Sequence, residues 1–133
     1  MNKKIGVTAC TGMNEVEGTI ARMAIYKVLE DLHPEETVLI CLPALAAEVE
    51  EDVEFVRDYP AIILDGCDKK CALKVFKKFK SNIKAVFNVC DYIKKYSDLH
   101  PTSIIDIDAD GNKLAAMIAE DISKKINEVL ENE

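Results

Sequence analysis

Short runs of aliphatic residues alternate with longer stretches of helical periodicity along the whole chain, and that alternation leaves few folds open. Ile5 to Ala9, Thr37 to Leu42, Ala61 to Asp65 and Ile83 to Val89 read as strands, with Ser103 to Ile107 as a fifth. Gly18 to Leu32 places Ile20, Ala24, Ile25, Val28 and Leu32 at helical spacing, and His33-Pro34 ends that helix. Ala44 to Arg57 reads as one acidic helix, and Cys71 to Lys80 as a helix burying Ala72, Val75, Phe76 and Phe79. Residues 91–97 make a short helix. The longest runs from Asn112 to Leu130, with Leu114, Met117, Ile118, Ile122, Ile126 and Val129 on one face. A βαβα order of this kind implies an α/β three-layer sandwich, a mostly parallel sheet of four or five strands with helices on both faces. Residues 1–133 form a single domain, long enough for one sizeable core and uninterrupted by linker or repeat.

The cysteines follow the strand ends. Cys10 closes the first run, Cys41 the second, Cys67 and Cys71 follow the third, and Cys90 follows the fourth. Ligands of open parallel sheets bind outside the carboxyl ends of the strands, so these thiols fall where a site is expected. A strand order of 2-1-3-4 sets the strands before Cys41, Cys10 and Cys67 side by side. The segment Asp65-Gly66-Cys67-Asp68-Lys69-Lys70-Cys71 is the richest in chemistry. Gly66 permits a sharp exit from the strand, and a four-residue spacing puts both sulfurs on one face if the helix has begun. A helix start and the flanking Lys69 and Lys70 would lower the pKa of these thiols and favour the thiolate. With Cys10 and Cys41 the set reaches four sulfurs, the complement of a closed zinc site or an iron–sulfur cluster. The competing reading is that each is a small buried hydrophobe.

Five cysteines are an odd number in a chain that needs no staples, which favours reduced thiols or metal ligands over a secreted disulfide framework. No apolar run reaches the length of a membrane span, and the first residues lead straight into a strand, so a soluble cytoplasmic protein is expected. A net charge of −7 argues against nucleic acid and anionic membrane as partners. The balance is local, however: seven lysines and no acid lie between Lys69 and Cys90. They are either a solvated helix face or a basic patch that offsets thiolate charge or attracts an acidic protein partner.

The tripeptide Asp65-Gly66-Cys67 followed by Cys71, with Ala9-Cys10-Thr11-Gly12 before it and Cys41-Leu42-Pro43-Ala44 in the middle, resembles the DGC-domain family. The resemblance runs from about Ile5 to Val89. Members of that family are small proteins described as zinc-binding because they share four cysteines. The resemblance therefore implies that Cys10, Cys41, Cys67 and Cys71 are zinc ligands, with Cys90 outside the shared set.

Other motifs dissolve on their chemistry. Cys10-Thr11-Gly12-Met13-Asn14-Glu15 imitates a phosphocysteine loop, but Glu15 and Glu17 would repel a phosphate, and Val16 stands where the C-x5-R phosphatase pattern needs arginine. Asp106 to Gly111 imitates half of an EF-hand loop, yet its twelfth position is Met117, and a helix cap at Asp110 accounts for it better. His33 and His100 each precede proline at a helix end or in a loop, and only His100 has a path toward the site. Asp65 is the one carboxylate within reach of the cysteines, either as a site group or as a turn residue. No catalytic grouping of Ser, His and Asp and no glycine-rich nucleotide loop occurs. The expectation is a small zinc-binding protein with an accessory role in metal or redox physiology. Its alternatives are a thiol–disulfide protein using Cys67 and Cys71, with Cys10, Cys41 or Cys90 as resolving partner, and an iron–sulfur protein with Cys90 as spare ligand.

Overall fold

A computed structural model describes residues 4–132. Four parallel strands, β1 (Ile5–Ala9), β2 (Thr37–Leu39), β3 (Pro60–Asp65) and β4 (Asn82–Asn88), pair in the expected order β2-β1-β3-β4. β3 is buried at every position, as a strand covered on both faces must be. One face carries α1 (Val16–Lys27), α5 (Val89–Lys95) and α6 (Ala109–Asn132) over a core built from Val7, Ile20, Ile62, Leu64, Ile118 and Ile122. The other carries α2 (Leu42–Ala46), α3 (Glu50–Asp58) and α4 (Cys71–Phe76) over Leu45, Val56, Ile63 and Phe76. The Tyr92 hydroxyl donates to Asp121 at 2.6 Å and ties α5 to α6.

Four departures from the expected elements have local causes. The end of the first helix, residues 28–32, widens into a π turn, which rotates Leu32 out of the core to 38 % exposure. The acidic helix is two helices: the N–H of Val49 donates to Ala44 O and that of Glu48 to Leu45 O, a Schellman closure with Glu48 at φ 62°. Glycine usually occupies that left-handed position, so its absence hid the break. The helix after β3 keeps regular geometry only through Phe76, short of Lys80.

The fifth strand is absent. Backbone groups of that segment and its flanks are engaged otherwise: the Asp108 carboxylate accepts from the N–H groups of Thr102, Ser103 and Gly111, and Ile104 O accepts from the Thr19 hydroxyl. That hydrogen bond to Gly111 makes Asp108 the cap of α6. Asp110 instead accepts from the N–H of His100.

Candidate thiol site at the carboxyl edge of the sheet

Strand register assembles the site. β1 pairs with β3 at Ala9↔Leu64, and the ladder continues past the strand end as the N–H of Cys10 donates to Leu64 O at 3.0 Å. β3 pairs with β4 at Asp65↔Asn88. Cys10, Asp65 and Asn88 therefore stand level at the ends of neighbouring strands about 5 Å apart. The gap between β1 and β3 is where the connections reverse direction, since β2 lies on one side of β1 and β3 on the other. Crevices form at such points.

Each loop is then pinned. Asp65, fully buried, accepts the N–H of Ala72 at 2.8 Å and of Leu73 at 3.2 Å, capping α4 from the strand that precedes it. This fixes Cys71 as the first residue of α4, with Lys70 before it at φ 57°. Cys67 thus lies ahead of the helix, and the two sulfurs do not share a helical face as their spacing suggested. Gly66 has no positive φ; its value lies in close approach, since a Cβ there would stand 3.1 Å from Cys10 O. Gly18 serves likewise, since a Cβ on it would lie 2.3 Å from Gly12 O. Asn88 is a site residue that the sequence reading passed over. Its amide donates to Cys67 O and accepts from the N–H of Cys90, both at 2.9 Å, holding one loop and capping α5 together. An asparagine directly after an apolar run and before a helical stretch is the signal that marked it.

Cys10, Cys67 and Cys71 line one cleft of about 160 Å³, with Gly12, Glu15, Glu17, Gly66 and Lys69. The Cys10 thiol is pushed up to about 11 by burial, by the neighbouring Cys71 and Asp65, and by a hydrogen bond with Cys71. Cys90 touches the same site, its Sγ donating to Gly66 O at 3.6 Å, and burial and Glu17 raise its pKa as well. For these two thiols the surroundings favour the protonated form, the reverse of an activating environment. Cys41 stands apart. It precedes α2, is exposed, and lines a neighbouring hollow with Ala9, Thr11 and Arg22. All five cysteines are free thiols, and among the described residues no group of three or more His, Cys, Asp or Glu side chains is arranged to hold a metal ion.

Electrostatics nevertheless favour a cation over an anion here. Glu15 and Glu17 line the cleft and Asp65 lies behind it, leaving Lys69 as its one lysine. The seven lysines from Lys69 to Lys84 are all exposed. His33 is at the opposite edge, ahead of β2, where its Nε2 meets Ser123 Oγ at 2.8 Å; His100 is exposed ahead of α6. No described helix is long and apolar enough to cross a membrane.

The family model described as DGC domain matches residues 6–129, so the likeness extends well beyond Val89 into α6. No curated protein and no solved structure matches the chain.

Proposed function

Because the chain belongs to the DGC-domain family, we propose that it is a small metal-binding protein that takes a thiophilic divalent ion, zinc foremost, on its strand-end cysteines. The observation that carries this reading is the convergence of Cys10 with the sequence-distant pair Cys67 and Cys71 on one cleft walled by carboxylates. Soft sulfur donors suit zinc, and a bound divalent ion would offset the burial that keeps the Cys10 thiol protonated. Cys41, at the start of α2 in the adjoining hollow, supplies the fourth ligand. Asp65 and Asn88 position the ligands by holding the loops of Cys71 and Cys67. Such a site, once closed by four thiolates, serves structure, storage or transfer of the ion in a reducing, cytoplasmic setting.

Thiol–disulfide exchange is the second reading, and it has a specific support. Cys71 lies close enough to Cys10 to raise its thiol pKa, and both line the cleft with Cys67, so we take the bridge to join Cys10 and Cys71 in place of the Cys67–Cys71 pair. Two thiols would lose two protons and two electrons to a partner disulfide, itself reduced to two thiols.

Anaerobic purification followed by elemental analysis and an absorption spectrum separates the readings. Colourless protein with stoichiometric zinc supports the first, and brown protein with iron and sulfide replaces it with a cluster. Metal-free protein whose Cys10 and Cys71 oxidise together establishes the second.

A further inference from the structure

Exposed apolar side chains are unevenly distributed over this molecule. Among the described residues Met13, Tyr26, Leu39, Ile104 and Ile105 border two hollows that share Thr11 and Arg22. The larger, about 600 Å³, lies between the β1–α1 loop, the Thr19, Arg22 and Met23 face of α1, and residues 104–107. Patches of this kind mark interfaces or ligand grooves. Met13 is 96 % and Ile105 90 % exposed, so they project from the rim as knobs and do not wall a small-molecule pocket. One face therefore carries both knobs and holes.

It also carries both signs of charge. Arg22 and Asp106 line the larger hollow, and neither side chain has an ion pair or hydrogen bond among the described residues. Covering this face with a purely apolar partner would strand both charges, at a cost that disfavours it. A partner must bring one anion and one cation, flanked by apolar knobs and hollows, and a second copy turned about a twofold axis brings that set. We infer that this face joins two copies of the chain in an isologous dimer, with Arg22 of each copy paired to Asp106 of the other and Met13 and Ile105 seated in the facing hollows. The net charge of −7 on each copy opposes approach weakly, because surface charges more than about 8 Å apart are screened at physiological salt. Gly12 and Gly18 line both the larger hollow and the cysteine cleft, and Cys41 lines the smaller hollow, so the interface borders the thiols. The inference does not depend on metal binding.

Sedimentation velocity on the full chain, treated with chelator and reductant, tests it at micromolar concentration. The unaltered protein should sediment as a dimer. I105E, R22D and D106R should each raise the dissociation constant about tenfold or more, whereas the double reversal R22D/D106R should restore dimerisation. All these residues are exposed, and a thermal melt checks that each variant folds. A monomer at every concentration would overturn the inference, as would a dimer that ignores I105E or single reversals that the double reversal fails to rescue.

Discussion

Cys10 shows how a single residue reports on its surroundings. Its thiol is half-buried against Cys71 and Asp65, which hold it protonated far above neutrality. In chelator-treated protein, alkylation of Cys10 followed by mass spectrometry should therefore rise with a midpoint near pH 11, against 9.0 for an unperturbed thiol. Asp108 has the opposite sign. Backbone donors from Thr102, Gly111 and Ser103 lower it from 3.8 to about 2. Its folded pKa lies below the unfolded one, so the stability it confers is present above about pH 4 and lost as pH falls toward 2. Asp108→Ala should lower the melting temperature at neutral pH, and the gap from the unaltered protein should close between pH 4 and 2. Asp65 acts through its hydrogen bonds: Asp65→Ala orphans the N–H groups of Ala72 and Leu73 and should cost about 1–3 kcal/mol, measured by urea unfolding.

Among the elements, the glycine contacts decide how tightly the site loops close. Alanine has the better helix propensity by about 1 kcal/mol, which alone would make Gly18→Ala stabilising. A Cβ 2.3 Å from Gly12 O is overpacking against backbone, which costs about 1–3 kcal/mol and displaces the Cys10–Glu15 loop. The expected net effect is lower stability together with faster alkylation of Cys10, read by urea unfolding and by mass spectrometry. The elements also show what sequence reading can and cannot reach. β1 to β4 and α6 were legible because their apolar periods persist over several residues and nothing local competes with them. The broken acidic helix was not, because its C′ residue is Glu48 where the usual signal is glycine. The expected fifth strand does not form, although Ile104 and Ile105 look like strand residues, because the Asp108 carboxylate takes the backbone N–H groups of Thr102 and Ser103. Asp108 replaces Asp110 as the cap, since two acids two residues apart are equally good candidates on paper.

For the whole molecule, the sheet order sets what can meet. Placing β1 between β2 and β3 brings residues 10, 41, 67 and 71 to one edge, and that much of the site was legible once the order was inferred. Which of them share a cleft was not legible, because it depends on the Asp65 cap and the Asn88 clamp, contacts between residues far apart in the chain. The proposal that this edge holds a metal ion on cysteine thiolates stands or falls on the zinc content of anaerobically purified protein and of its serine variants. Stoichiometric zinc is expected in the unaltered chain, with its loss in C10S, C67S and C71S, a sharp weakening in C41S, and retention in C90S. Protein that stays metal-free after incubation with zinc, or zinc content indifferent to C10S, C67S and C71S, would contradict it.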